Sequence, residues 1–153
     1  MAIALANAGA DIVSIQRSSE NQETANTIRA AGRQCWIVEC DLGNKPQVKG
    51  VVKKVMDDIL SPKGKSIDIL INCGGIQRRT PAENFPDADW EEVMQVNLDV
   101  VFTLCRDAGK VMLDARRGAA APLPKGKSAY ISADSLYDHS HVAARSHQRR
   151  LPC

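Results

Sequence analysis

Residues 67–75 read IDILINCGG, an apolar run that stops at two adjacent glycines. With Ser66 in front, the run is nearly continuous in Ile and Leu. That is the pattern of a strand in a parallel sheet, where helices cover both faces and leave none for water. Asn72, Gly74 and Gly75 then fall at the strand's carboxyl end. Having no Cβ atoms, Gly74 and Gly75 permit a tight turn and the close approach of another group to the main chain. A plain strand-to-helix turn has the same composition, and the dipeptide alone does not choose between the two.

The segments on either side extend the pattern. DIVSI (11–15), QCWIVEC (34–40) and KSAYIS (127–132) are further short runs of strand length. Residues 1–8 read as the end of a helix stopped at Gly9, and residues 19–31, with Ala25, Ile28 and Ala31 on one face, as a helix ending at Gly32. From Pro46, the residues Val48, Val51, Val52, Val55, Met56 and Ile59 share a helical face. The longest helix is expected over 87–116, where Trp90, Val93, Met94, Val101, Leu104, Ala108, Val111 and Met112 keep helical spacing. Strands alternating with helices predict an α/β fold, a doubly wound parallel sheet built from right-handed crossovers. Ligands of such sheets bind beyond the carboxyl ends of the strands.

The 153 residues suit one domain, and 44% hydrophobic with 25% charged residues is an ordinary globular balance. A net charge of +2 with no clustered Lys/Arg gives no footing for nucleic acid or membrane as a partner. The five cysteines are odd in number and lack CxxC spacing, which predicts reduced core thiols rather than disulfides or zinc ligands, and so a reducing, cytoplasmic setting. MAIALANAGA has no basic segment ahead of its apolar residues, and no stretch reaches the roughly 18 apolar residues of a membrane span. Residues 137–153 read as an irregular or disordered tail. Its His139, His141 and His147 beside Asp138 invite a metal reading, but nothing in their pattern predicts a fixed ligand geometry, and no metal is expected.

IDILINCGG, Trp90 and MQVNLDVVF (94–102) stand in an order that resembles the short-chain dehydrogenase/reductase family, and the resemblance covers roughly residues 1–136. The wording of 74–98 further resembles its 2-deoxy-D-gluconate 3-dehydrogenase branch. The resemblance implies hydride transfer between a nicotinamide and the carbonyl carbon of a small polyol, sugar acid or related ketone. It also implies roles for particular residues. Asn72, Gly74 and Gly75 match the strand-ending motif that lines the coenzyme, and Asp41 with Leu42 matches the aspartate near the adenine ring. Asn97 matches the asparagine that sustains a proton-relay water. Arg17 and Ser18 follow the strand at which the family reads the adenosine ribose; an arginine there offers a 2′-phosphate a charge-assisted contact, so NADP(H) is favoured over NAD(H). For the substrate-orienting serine the match is divided, with Ser132 preferred over Ser135 and an ungapped comparison pointing to Ala133.

The sequence departs from the family at both ends. The family's acid/base pair is Tyr-x-x-x-Lys, in which the lysine lowers the phenol's pKa. Here Tyr130 and Tyr137 are followed four residues on by Asp134 and His141. The Gly-x-x-x-Gly-x-Gly loop that holds a pyrophosphate is not found, and Met1 aligns with an internal residue of full-length relatives. The expected fold is therefore partial, lacking the first strand, the Gly-rich loop and the C-terminal strands. The missing strand is the family's central one, so the sheet is expected either to carry two unpaired inner edges, between DIVSI and IDILIN, or to close up across the gap. Two functions follow: a dehydrogenase-family chain inactive as written, or a non-catalytic module whose empty slot takes a strand from a partner chain. Intact relatives act on small-molecule substrates, and Trp90, Met94 and Met112 suit core packing or subunit contact, which is compatible with a homo-oligomer.

Overall fold

The structure is a computed structural model, and it describes residues 1–117 and 128–133. The expected tail, Ser135 and the three histidines lie outside the described residues. Helix α1 (Ala2–Asn7) ends before Gly9, whose φ of 103° lets the chain reverse into β1 (Asp11–Gln16). Helix α2 (Glu23–Ala30) is shorter than the apolar spacing predicts, because residues 17–22 form a turn instead. Gln16 Nε2 donates to Asn21 O at 3.0 Å, and the Ser19 N–H donates to Glu39 Oε1 at 2.8 Å. These side-chain bonds offer the backbone an alternative to a helical turn.

Strand β2 (Cys35–Glu39) leads into α3 (Lys45–Lys54), which starts where Asn44 Oδ1 accepts from the Gln47 N–H at 3.1 Å. The helix runs on through a wider π turn, Val55–Leu60, to β3 (Ser66–Asn72). The predicted long helix is present as α4 (Asp87–Met94), a second π turn (Gln95–Asp99) and α5 (Val100–Arg117). Strand β4 (Ser128–Ala133) is the last described element.

All four strands are parallel, in the order β2-β1-β4-β3. Alternation along β1 divides the core in two: Val13 and Ile15 pack with α3 and α5, whereas Ile12 packs with α1 and α2. In β3 the ladder to β4 slips by one residue between Ile67 and Ile69, a bulge at Asp68. Beyond it, Leu70 faces the α3/α5 layer as Ile67 does, and Ile71 faces the other.

The slot between β1 and β3 corrects the expectation of an empty or closed centre: β4 fills it, pairing Asp11–Ile15 on one side and Ser66–Asn72 on the other. A strand there satisfies two rows of backbone groups that would otherwise be buried unpaired, at about 1–3 kcal/mol each. It reaches the slot by an unusual route. The β1-to-β2 crossover moves one way across the sheet over the α2 face, and the β2-to-β3 crossover moves the other way over the α3 face, so the two share one hand. The β3-to-β4 crossover moves back over the face of α3 and α5, giving the opposite hand.

At the amino ends of the strands a charge cluster forms around one buried carboxylate. Asp11, only 3% exposed, accepts from Lys65 Nζ at 2.6 Å, Arg33 Nη2 at 2.8 Å and the Gln34 N–H at 3.0 Å. Burial pushes its carboxyl up, but Lys65, the Gln34 N–H and Arg33 outweigh that and hold it below the usual carboxylate range.

Candidate functional site

Because the strands are parallel, the residues singled out in the sequence meet at one edge, the carboxyl ends. Across it run Asp41 and Leu42 after β2, Arg17 and Ser18 after β1, Ser132 near the end of β4, and Asn72 to Gly75 at the end of β3. Ser132 is flanked in register by Ser14 and Ile71.

The π turn 95–99 ties this edge together. Asn97 Oδ1 accepts from the Ile76 N–H at 2.8 Å, and Asn97 Nδ2 donates to Ile76 O at 2.9 Å, so the amide clamps the main chain just after the glycines. A Cβ at position 75 would lie 3.0 Å from Asn97 Oδ1. The close approach that Gly75 permits in this structure is therefore that of Asn97. Two residues earlier, Gln95 Nε2 donates to Gly43 O at 2.5 Å, joining the same π turn to the loop after β2. The turn thus joins the loop after β2 to the loop after β3. The wider helical turn lets both side chains reach loops from one short segment, as π turns often do at functional sites.

Asp41 is committed locally: its Oδ1 accepts from the Gly43 N–H at 2.8 Å, its carbonyl from Asn44, and its own N–H donates to Gln47 Oε1 at 2.8 Å. Asp41 thus caps its own turn through Oδ1. Leu42 is a core residue, so only its main chain faces the edge. Arg17 is exposed, without an ion pair among the described residues, and Ser18 Oγ accepts from the Glu20 N–H at 3.2 Å. Glu39 anchors this turn, and the Ser19 hydrogen bond holds its carboxyl below the usual range. Asn72 Nδ2 donates to Cys105 Sγ at 3.2 Å, which anchors the end of β3 to α5.

Beside the Asn97 clamp lies an open cavity of about 690 Å³, lined among others by Ile76, Arg78, Phe85, Trp90, Val93 and Asn97. Arg78 Nη2 pairs with Glu92 Oε2 at 2.5 Å on its rim. Sequence reasoning missed Gln95, Arg78 and this cavity; Gln95 looks like any polar residue of a surface helix. Trp90 is exposed, whereas Met112 packs against the larger core cluster. The cysteines divide differently from expectation: Cys35 and Cys40 are buried, but Cys73 and Cys105 are exposed, Cys73 just past the end of β3 and Cys105 on α5 against β3, the edge strand of the described sheet. Burial pushes the Cys40 thiol up to about 11, with Asp41 adding to the rise. No described helix is long and apolar enough to cross a membrane.

A parallel sheet wound by helices on both faces, with polar loops gathered at its carboxyl edge, defines the nucleotide-binding class of α/β folds. The profile of the short chain dehydrogenase family matches residues 1–121, and the chain belongs to that family. It is 36% identical over 120 residues to a 2-dehydro-3-deoxy-D-gluconate 5-dehydrogenase of Pseudoalteromonas atlantica, a match covering 77% of this chain and 45% of the relative. It is 35% identical over 121 residues to a galactitol 2-dehydrogenase of Rhizobium johnstonii, covering 78% and 45%. Among solved structures, one from Beutenbergia cavernae, described as an NAD(P)-dependent gluconate 5-dehydrogenase with bound NADP, superposes with a TM-score of 0.64 at 30% identity, over 74% of this chain and 43% of that one. The chain spans about half the length of the curated relatives it matches.

Proposed function

We propose that the chain carries the adenosine side of a nicotinamide coenzyme site, and that it belongs to an oxidoreductase interconverting a secondary alcohol and a ketone on a sugar acid or polyol. The observation behind this is the Asn97 clamp on Ile76, which positions the Gly74–Gly75 main chain at the carboxyl edge of the sheet. The residues fit the adenosine half of such a coenzyme. Arg17 is a solvent-facing guanidinium at the end of β1, able to pair with a 2′-phosphate; Asp41 and Leu42 follow β2 at the same edge, where the adenine would lie; Gly74 lets a ribose lie against the strand end. When bound, the coenzyme supplies the hydride donor or acceptor.

The chain's own residues position the partners of that transfer. Asn97 uses one acceptor and one donor site of its amide on Ile76, so it orders the loop beside the reacting edge and keeps a second site on each atom for a relay water. Arg78 and Trp90 give the adjoining cavity a cation and an aromatic wall, matching a small polyhydroxy acid. Ser132 is the orienting hydroxyl we assign, from its register beside Ser14 and Ile71. With no lysine four residues after Tyr130 or Tyr137, this chain alone is inactive; its odd number of cysteines without CxxC spacing supports a reducing, cytoplasmic compartment.

Calorimetric titration of the purified chain with NADPH and NADH tests the reading. NADPH is expected to bind more tightly, and Arg17→Ser to weaken NADPH roughly tenfold while leaving NADH unchanged. Equal affinities untouched by the substitution would overturn the NADP(H) assignment. Reduction of a sugar-acid ketone by this chain with NADPH would overturn the proposed inactivity.

A further inference from the structure

The central strand is the part of the fold that fits its own chain least. β4 makes hydrogen bonds on both sides, to β1 and to β3, so its slot demands an occupant more strongly than either sheet edge does. Yet the connection that brings it there has the opposite hand to the two before it. Strand-to-parallel-strand connections are right-handed in about 98% of cases, because a twisted strand feeding a right-handed helix packs back on the sheet only that way. A rule about hand restrains one covalent chain. It places no restraint on a strand contributed by another molecule, which would meet the same two registers.

We propose that β4 is exchanged between two copies of this chain, residues 128–133 of each entering the slot between β1 and β3 of the other. The exchange keeps every backbone pairing of the sheet and removes the discordant crossover. Ten residues, 118–127, separate α5 from β4, more than the usual two to six of a helix-to-strand connection. Fully extended, such a segment spans about 33–36 Å, enough to reach a neighbouring sheet. It contains Gly118, Pro122, Pro124 and Gly126, residues poor at continuing either a helix or a strand. Because each copy offers the same strand and the same slot, the exchange closes on itself as a two-fold dimer, with no open end to propagate. The inference stands apart from the coenzyme assignment, since it uses only sheet order, register and connection length.

The test is the double substitution Val13→Cys/Ile131→Cys, at positions that are register partners in the sheet. Neighbouring strands lie about 4.8 Å apart, within the Cα separations a disulfide spans. Equal amounts of light and ¹⁵N-labelled protein are refolded together and oxidised, and the linkage between positions 13 and 131 is mapped by mass spectrometry, which separates it from links among native cysteines. The expected result is a 13–131 link that joins light to heavy peptides in about half of the linked species. A link confined to one chain overturns the proposal, and so does the absence of any 13–131 link. A second measurement uses the unaltered chain: light scattering after size exclusion is expected to give twice the 16.6 kDa chain mass, and a folded monomer overturns the proposal.

Discussion

The two ends of the sheet are built on opposite plans. At the amino ends, Asp11 is buried and surrounded by Lys65, Arg33 and the Gln34 N–H, all its partners supplied by the fold. At the carboxyl ends the polar side chains are exposed or half-buried, and those that shape the loops bond to main chain: Asn97 to Ile76, Gln95 to Gly43, Asp41 to Gly43. A buried charge with a complete set of partners is costly to disturb and has nothing left to offer a ligand. Exposed amides that shape loops contribute little stability and leave the loop backbone open to solvent. The comparison assigns stability to one end and recognition to the other.

The largest effect expected is at the amino end. Asp11→Asn leaves Lys65 and Arg33 facing a neutral group and should cost about 3–5 kcal/mol in urea denaturation. The carboxyl's folded pKa is depressed, so its stabilisation is fully present above the unfolded value of about 3.9 and is lost as pH falls through the lower folded value. The wild-type denaturation midpoint should therefore drop as pH falls below about 4, and the drop should be shallower in the variant.

At the carboxyl end, Gly75→Ala forces its new methyl against Asn97 Oδ1 and should cost about 1–3 kcal/mol. In an Asn97→Ala background that cost should shrink, and a double-mutant cycle measures the difference. Asn97→Ala alone removes two exposed hydrogen bonds and should cost about 1 kcal/mol, with faster hydrogen exchange at the Ile76 amide as its local signature. If it cost as much as Asp11→Asn, the contrast between the ends would be lost. The smallest effect on stability is expected for Arg17→Ser, within about 0.5 kcal/mol, since the side chain is exposed and unpaired among the described residues.

How much of this was legible beforehand differs by element. Strand 11–16 stands out in the sequence because burial on both faces demands an unbroken apolar run; strands 35–39 and 66–72 stand out by the same composition, although 66–72 lies at the sheet edge with Ile69 exposed, contrary to the full covering its apolar run predicts. Helix 45–54 stands out because one apolar face repeats at helical spacing. The shortening of α2 was not readable, since Gln16 and Glu39 act from outside the segment they restrain. Asp11 and Lys65 are 54 positions apart, and no local pattern announces their contact. Sheet order was misjudged for a related reason: alternation predicts parallel strands, but which strand fills a slot depends on hydrogen-bonding demand across the whole sheet. Gly74–Gly75 was recognised as a place of close approach; that the approaching group is Asn97 depends on the π turn, which has no sequence signature here.

The bulge at Asp68 has a consequence for how the chain tolerates changes in length. Ile67 and Leu70 look into the same helical layer although they are three positions apart, so the extra residue between them flips the phase of the pleat. Loss of one codon at 68 would restore plain two-residue alternation with Ile67 still inward at one end and Leu70 and Asn72 unmoved at the other. Loss of Ile69 instead would leave the same register with Asp68 in its outward place, so the bulge absorbs a one-residue deletion at either position without moving Asn72 from Cys105 or the glycines from their amide clamp.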